Sequence, residues 1–240
     1  MKKNKLFLIL PVAILFFVLA FWYFNKQDAV TVYAPAEFSD ATLIIDAGHG
    51  GVDGGAVSVT GECEKNINLA IALRLDSICG LYGVQTKLLR SDDRSIHDED
   101  AVTIREKKVS DLHNRAAIIE STENATVISI HQNIYTNSKY SGAQVFYSNG
   151  DLSASFAALM QENLRVQLAP DNIRQAKPIP KTVYLMNHIS CRALLVECGF
   201  LSNSSEAALL ETSSYQTKVA AVLAGSYLQE TENDIIADAQ

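Results

Sequence analysis

Three short apolar segments, each running straight into an ionisable residue, constrain the fold of this 240-residue chain more than any other feature. The first, Leu43–Ile45, is followed by Asp46 and by a glycine-rich turn that presents His49. Large and β-branched apolar residues in a short run predict a buried strand. The glycines at 48, 50 and 51 lack a Cβ atom, so the backbone can turn sharply and leave room beside the imidazole.

The other two segments end in the same way. Val127–Ile130 runs into His131, and Leu194–Val196 runs into Glu197. In open α/β sheets the carboxyl ends of the strands form the edge at which ligands bind. If the three strands are neighbours in one sheet, we expect His49, His131 and Glu197 to lie together at that edge.

Helical periodicity alternates with these strands. From Glu64 onward, apolar residues recur every three or four positions up to Ile78, and glycines follow, which predicts a helix. Residues 91–110 are polar and predict a long loop. Further helices are predicted at 111–120, 152–168, 206–210 and 215–228, and further strands at 84–89 and 142–147. Residues 182–186 form a short apolar run that precedes a predicted turn at His188. Strands alternating with helices predict an α/β domain whose largely parallel sheet lies between helical layers.

The N-terminal segment predicts a transmembrane helix. Leu6–Phe24 is apolar throughout, which is long enough for a helix to cross a hydrocarbon core of about 30 Å. The lysines at 2, 3 and 5 place the N-terminus in the cytoplasm and the remaining chain outside it. We therefore predict an anchor at 1–26 and a tether at 27–40, with the domain that follows them extracytoplasmic. The alternative is a cleaved signal peptide, whose apolar stretch is normally shorter.

The rest of the chain is long enough for one domain with a substantial core, which we place at 41–230. Residues 231–240 predict a polar, frayed tail. The formal net charge is −7, and the sequence contains no basic patch, so charge-driven binding to nucleic acid is excluded.

The candidate residues have the composition of a catalytic zinc site. Such a site takes three protein ligands, commonly two imidazoles and a carboxylate, and leaves a position for water. His49, Glu64 and His131 supply that set, and Glu197 supplies a second carboxylate for proton transfer. From residue types alone, Glu64 and Glu197 could exchange these roles. Magnesium and calcium are less suitable because they prefer oxygen ligands.

Four segments carry a family resemblance: IDAGHGGVDGGA (45–56), EKNINLAIAL (64–73), SIHQN (129–133) and ECGFLSN (197–203). Together they resemble the zinc-dependent N-acetylmuramoyl-L-alanine amidases of bacterial cell walls. The resemblance implies a three-layer α/β/α domain with a mixed, mostly parallel sheet of about six strands. It also implies His49, Glu64 and His131 as zinc ligands and Glu197 as the catalytic acid/base. The reaction implied is hydrolysis of the amide bond between the lactyl group of muramic acid and L-alanine in peptidoglycan.

Three longer segments, at 108–119, 141–150 and 183–210, are most similar to the spore-cortex, germination-associated branch of these enzymes. That branch removes peptides from muramic acid so that a later enzyme can form muramic δ-lactam. Gln132 and Cys191 depart from the residues that are common in the family at these positions. Neither departure removes a ligand, so they concern the fit of the substrate.

Several other residues have a structural interpretation. Asp46 is either an outer partner of His49 or a cap of the turn, and the Asp53–Gly54 pair is typical of a turn. His113 and Arg115 are predicted on the surface of a helix. The four cysteines form no CxxC motif and are predicted to be free thiols, with a Cys63–Cys198 bond as the alternative.

Two other functions are alternatives to the amidase. One is a zinc peptidase that cuts the stem peptides, and the other is an inactive wall-binding protein. Weak metal binding until an activating protein docks is a further interpretation that the sequence leaves open.

Overall fold

The computed structural model describes residues 41–238. The strands are β1 (Thr42–Ala47), β2 (Thr86–Leu88), β3 (Ala125–Asn133), β4 (Gln144–Ser148), β5 (Lys177–Pro178) and β6 (Arg192–Phe200). The α-helices are α1 (Glu64–Leu81), α2 (Ile104–Glu120), α3 (Asp151–Leu168), α4 (Ser204–Leu210) and α5 (Ser213–Asp238). A short 3₁₀ helix at Leu185–Asn187 precedes β6.

The six strands form one sheet in the order β2-β1-β3-β6-β4-β5. All neighbouring pairs are parallel except β4 and β6, which are antiparallel. The three strands that end in candidate site residues, β1, β3 and β6, are adjacent, and His131 is the register partner of Glu197. The predicted mixed, mostly parallel sheet of six strands is confirmed.

Helices cover both faces of the sheet. Helices α1, α3 and α5 pack on one face, where Ile71, Phe156 and Leu223 meet alternate residues of the strands such as Ile45. On the other face, α2 and the 3₁₀ segment pack Ile119 and Met186 against residues such as Ile44 and Val127. Because side chains of a strand alternate between faces, a fully buried strand such as β1 supplies residues to both cores. The three-layer α/β/α architecture is confirmed.

The prediction that residues 91–110 form a loop is wrong in its second half, because α2 begins at Ile104. A capping box starts the helix: the Thr103 hydroxyl accepts from the Glu106 N–H, and the Glu106 carboxylate accepts from the Thr103 N–H. These reciprocal bonds satisfy donors that a helix start leaves unpaired. The first turns of α2 are exposed, so apolar periodicity gave no signal there.

The short apolar run at 182–186 leads into the 3₁₀ segment, whose Leu185 and Met186 are buried against the sheet. One further prediction is corrected: residues 231–238 of the predicted frayed tail are helical, because α5 continues to Asp238. Arg192 Nη1 lies 2.6 Å from Asp234 Oδ2 and 3.6 Å from Glu230 Oε1, and these ion pairs fix the end of α5 to the start of β6.

The four cysteines, which all lie within the described residues, are free, so the alternative Cys63–Cys198 bond is absent. Within residues 41–238 no helix has the length and apolar character needed to cross a bilayer. The predicted anchor and tether lie outside the described residues.

Arg115 is buried, which corrects its predicted surface position. Its Nη1 atom donates to Asp46 Oδ1 and to the carbonyl of Ala47, and its Nη2 atom donates to the carbonyl of His49. Its Nε atom donates to Asp111 Oδ2 at 2.7 Å. Because three of these acceptors belong to β1 and the turn after it, Arg115 ties α2 to the segment that presents His49.

Replacing Arg115 by Met should therefore destabilise the protein. The change removes the charge while keeping much of the side chain, and leaves the carboxylates of Asp46 and Asp111 without their cation. We expect a loss of about 3–5 kcal/mol in the free energy of unfolding. Arg105→Met, on the exposed side of the same helix, should change it by less than about 0.5 kcal/mol. Urea titration of both variants measures the difference, and equal unfolding midpoints would contradict it.

Asp46 also predicts a dependence of stability on pH. Burial raises the pKa of this carboxyl, but the charge of Arg115 and the hydrogen bond from Ser129 outweigh burial, so the pKa is lowered. A lowered pKa gives a stabilising contribution that is complete above the unfolded value of about 4 and is lost as the pH falls below it. We expect Asp46→Asn to flatten the fall in unfolding free energy below about pH 4. Asp171→Asn, at an exposed position, should leave that slope unchanged.

Candidate metal centre

Three side chains that are far apart in the sequence converge at the carboxyl edge of the sheet. His49 follows β1 in a turn with a positive φ of 64°, Glu64 is the first residue of α1, and His131 lies near the end of β3. His49 Nε2 is 3.2 Å from Glu64 Oε2, and His131 Nδ1 is 3.0 Å from Glu64 Oε1. One candidate ligand atom from each residue lies within 4.8 Å of the others, so the three could hold one metal ion.

Backbone groups hold the Glu64 carboxylate in place. Its Oε2 atom accepts from the Ala56 N–H at 2.8 Å, and its Oε1 atom accepts from the Gln132 N–H at 2.9 Å. Burial alone would raise the pKa of Glu64, but the hydrogen bonds and charges of His131 and His49 lower it. The group is therefore an ionised, fixed carboxylate between two imidazoles.

Two glycines leave the space that this cluster occupies. A Cβ atom on Gly48 would lie 2.3 Å from both Cε1 and Nε2 of His131. A Cβ atom on Gly55 would lie 2.6 Å from Glu64 Oε2 and 2.7 Å from His49 Cδ2. The glycine-rich segment is thus required for the close packing of all three side chains, as well as for the turn.

Asp53, and not Asp46, is the acid that contacts the His49 ring. Asp53 Oδ2 lies 2.9 Å from His49 Nδ1, while its Oδ1 atom accepts from Lys108 Nζ at 2.7 Å. Burial alone would lower the pKa of His49, but Asp53 and Glu64 raise it to about 9. Because Nδ1 faces Asp53 and Nε2 faces Glu64, Nε2 is the atom that becomes available to a metal when it gives up its proton. Asp46 instead pairs with Arg115 and Ser129.

Glu197 stands beside the cluster with one oxygen unsatisfied. The residue is partly exposed, but its Oε2 atom is buried and has no hydrogen-bond partner among the described residues. Burial raises the pKa of Glu197 to about 7, with the charge of His131 opposing this rise. Because buried polar atoms are normally paired, the orphaned oxygen indicates that Glu197 faces the position of a ligand, a water molecule or a substrate.

A cavity of about 330 Å³ opens on this arrangement and contains His49, His131 and Glu197 in its lining. The 3₁₀ segment contributes an apolar wall that includes Tyr184 and Met186. The volume is within the range of small-molecule sites. The cavity can hold a reacting group against His49, His131 and Glu197 together.

Sequence analysis identified four candidate residues, and the structure places all four close together: His49, Glu64, His131 and Glu197. Their assigned roles stay predictions. The sequence did not identify Asp53, Lys108 or Tyr184 as part of the site. For Asp53 the signal was present, since it lies four residues after His49 in a turn. Lys108 and Tyr184 reach the cavity only through the packing of α2 and of the 3₁₀ segment against the sheet.

The donor set fits zinc. Two imidazoles and a carboxylate with a free position are typical of catalytic zinc sites, and a second carboxylate beside that position is suited to moving a proton. A site of this kind, at the carboxyl edge of an α/β/α domain, is typical of hydrolases that use a metal-activated water.

Comparison with known proteins identifies the family. Residues 43–226 match the family model Amidase_3, described as N-acetylmuramoyl-L-alanine amidase. The chain belongs to this family, and its class is an amidase, a hydrolase of carbon–nitrogen bonds.

Individual relatives agree with the family assignment. The germination-specific N-acetylmuramoyl-L-alanine amidase of Bacillus subtilis is 35% identical over 222 residues, covering 91% of each chain. Among solved structures, the CwlD amidase from Clostridioides difficile, in complex with the GerS lipoprotein, has a TM-score of 0.76 and 37% identity. That likeness covers 80% of this chain and 98% of the other. The catalytic domain of CwlV from Bacillus (Paenibacillus) polymyxa has a TM-score of 0.67 and 28% identity, covering 80% and 98%. The resemblance to the germination-associated branch is confirmed.

The space left by Gly48 and Gly55, here called the glycine cradle, gives a prediction for metal binding. Gly55→Ala would drive a methyl group into Glu64 and His49, so we expect zinc affinity to fall by at least about tenfold while the fold is kept. Gly61→Ala is the matched control: Gly61 also has a positive φ, in the same loop, but a Cβ atom there meets nothing within 4 Å. Zinc titration with a competing chelator measures both variants. Equal affinities would show that the cradle does not shape the metal site.

Proposed function

We propose that the protein is a zinc-dependent N-acetylmuramoyl-L-alanine amidase that acts on the peptidoglycan of the spore cortex. The observation that carries this proposal is the convergence of His49, Glu64 and His131 beside the unpaired, buried oxygen of Glu197. This constellation supplies a metal site and a proton carrier in one cavity. The bond that it would hydrolyse joins the lactyl group of muramic acid to L-alanine.

The geometry favours one assignment of the two glutamates. Glu64 lies between the two imidazoles and is lowered in pKa, as suits a ligand that stays ionised. Glu197 contacts neither imidazole nitrogen within the ion-pair distance and has a pKa near 7, as suits a group that takes up and returns a proton. We therefore assign His49, Glu64 and His131 as zinc ligands and Glu197 as the catalytic acid/base.

When bound, zinc supplies a Lewis acid that polarises the amide carbonyl and lowers the pKa of a coordinated water. Glu197 accepts the proton of the attacking water through Oε2 and delivers it to the amide nitrogen as the bond breaks. Asp53 keeps the proton of His49 on Nδ1, so that Nε2 remains a ligand atom. Tyr184 and Met186 shield one side of the cavity from water, which strengthens these electrostatic interactions.

The role in the spore cortex is supported by the relatives. The Bacillus subtilis relative that is 35% identical is named a germination-specific amidase, and the likeness covers almost the whole of both chains. We propose the same role here, namely the removal of peptides from muramic acid before muramic δ-lactam is formed.

The cellular setting is part of the proposal. We propose that residues 1–26 anchor the protein in a membrane, that residues 27–40 form a tether, and that the catalytic domain acts outside the cytoplasm. The apolar run at 6–24 supports this arrangement. The Clostridioides difficile relative forms a complex with a lipoprotein, and we propose that an accessory protein of this kind binds the present chain as well.

Mass spectrometry of reaction products tests the reaction. The protein is incubated with purified peptidoglycan, with and without added zinc. We expect free stem peptides that begin with L-alanine, and muramic acid without peptide, only when zinc is present. Cleavage inside the stem peptide would replace the amidase by a peptidase. A zinc-loaded protein that yields no product would indicate an inactive binding protein or a missing partner.

Replacing Glu197 by Gln tests the catalytic assignment. The substitution keeps the shape of the side chain but removes its ability to exchange a proton, so we expect a loss of about 10²–10⁴ in kcat with full zinc content. His49→Ala should instead lose zinc. The surface variant Glu162→Gln is the control and should retain both zinc and activity. Full turnover by Glu197→Gln would rule out its proposed role.

A further inference from the structure

A second cavity, of about 640 Å³, lies at the same edge of the sheet as the metal centre. It is bordered by residues 139–142, which precede β4, and by residues 168–174, which lead to β5. Strand β4 runs antiparallel to β6, with Gln144 opposite Glu197, and β5 is parallel to β4. Both loops therefore extend beyond the carboxyl edge of the sheet, next to the strand that carries Glu197.

A row of aromatic rings connects this cavity to β3 and β6, the strands that carry His131 and Glu197. The rings of Tyr135 and Tyr140 are edge to face at 5.1 Å, and the rings of Tyr140 and Phe200 are 6.2 Å apart. Tyr135 follows the end of β3, and Phe200 ends β6 three residues after Glu197, which is about 10 Å along a strand. About half of the surface of each tyrosine is exposed, which leaves both available to a ligand.

Two cations accompany the aromatic row. The Arg174 guanidinium lies 4.9 Å from the ring centroid of Phe200 and 5.8 Å from that of Tyr140, and it donates to Asn172 Oδ1 at 3.1 Å. Lys139 borders the same cavity and is exposed. Among residues 41–238 neither Arg174 nor Lys139 forms an ion pair with a carboxylate, although the chain has a net charge of −7.

The nearby carboxylate of Glu206 is already used by the backbone. Its Oε1 atom accepts from the Gly142 N–H and its Oε2 atom accepts from the Phe200 N–H, each at 2.7 Å. These bonds fix the loop before β4 and the end of β6 relative to each other. The aromatic row and its two cations thus form a pre-arranged surface that is suited to a ring-shaped, anionic ligand.

The proposed reaction produces a ligand of this chemistry. Water adds across the amide, so that the lactyl carbonyl becomes a carboxylate that stays on the glycan strand and the nitrogen leaves as the amine of L-alanine. Each processed muramic acid therefore carries one new negative charge beside a sugar ring. Sugar rings present C–H groups that pack on aromatic faces, and the new carboxylate matches an arginine or a lysine.

We propose that Tyr135, Tyr140, Lys139 and Arg174 form a glycan subsite that binds muramic acid from which the peptide has been removed. This inference rests on the proposed amidase function. Binding of a processed unit next to the metal centre would hold the same strand in place for the next hydrolysis, so the enzyme would continue along a strand that it has begun. Only a polymeric substrate can occupy this subsite and the metal centre at once, so the subsite would increase turnover of polymeric substrates only.

Direct binding tests the subsite independently of catalysis. The full-length protein in detergent is titrated with peptide-free glycan strands that retain their lactyl carboxylates, and with the same strands after the carboxylates are converted to amides. We expect the original protein to bind the amidated strands about tenfold more weakly than the charged strands. The variants Tyr140→Ala and Lys139→Gln should bind the charged strands about tenfold more weakly than the original protein does. Tyr82→Ala, at the opposite end of α1, and Lys218→Gln, on α5, are the matched controls and should bind as the original protein does. Equal binding of charged and amidated strands would overturn the proposal.

Kinetics provide the second test. We compare kcat/KM for long peptidoglycan strands with kcat/KM for a single muramyl peptide. Tyr135→Ala and Tyr140→Ala should lower the ratio of these two values about tenfold, whereas Tyr82→Ala and Lys218→Gln should not change it. If the original protein hydrolyses neither substrate, the proposed function fails. If it hydrolyses both and the ratio is unchanged in the tyrosine variants, the subsite alone fails. Variants that lose binding of an accessory protein but keep glycan binding would make this surface a protein-docking site instead.

Discussion

The buried guanidinium of Arg115 is the interaction on which the geometry of the site depends. A turn that leaves a sheet edge has carbonyl groups with no partner in the ladder, and buried carbonyls need donors. Arg115 supplies donors to the carbonyls of Ala47 and His49, and Arg90 supplies donors to those of Ala47 and Gly48. Two long cations, whose charges are offset by nearby acids, thus replace the missing backbone bonds and fix the imidazole that follows β1.

The sheet then brings the remaining groups to this fixed point. Because β1, β3 and β6 are parallel neighbours, their carboxyl ends deliver His49, His131 and Glu197 to one edge without long loops. Glu64 enters from the first turn of α1, a position that stabilises a negative charge through the helix dipole. The helix dipole and the two imidazoles therefore both favour the ionised form of Glu64. The same edge, continued across β4 and β5, carries the aromatic and cationic surface.

The two glutamates show how the environment shifts the pKa values of identical side chains in opposite directions. Glu64 is surrounded by hydrogen-bond donors and imidazoles, which favour its ionised form. Glu197 has a buried, unpaired oxygen, and this desolvation favours its neutral form. Sequence reasoning left these two roles interchangeable, since residue type alone carries no information on the neighbours that shift a pKa. The distinction arises from packing at the sheet edge.

The sequence by itself determined the strands that precede His49, His131 and Glu197 and the helix that begins at Glu64, because apolar periodicity is a local property. His49, Glu64, His131 and Glu197 could be identified from the sequence for the same reason, because each lies at the end of such a strand or at the start of that helix. Only the tertiary structure decided that Arg115 is buried, that Asp53 orients His49 and that the loop before β4 borders a second cavity. Arg115 meets Asp46 across 69 positions of sequence, and Glu64 meets His131 across 67. Such contacts depend on which strands pair and on how helices pack against them. Local patterns of residues carry no information about contacts between residues so far apart in the sequence.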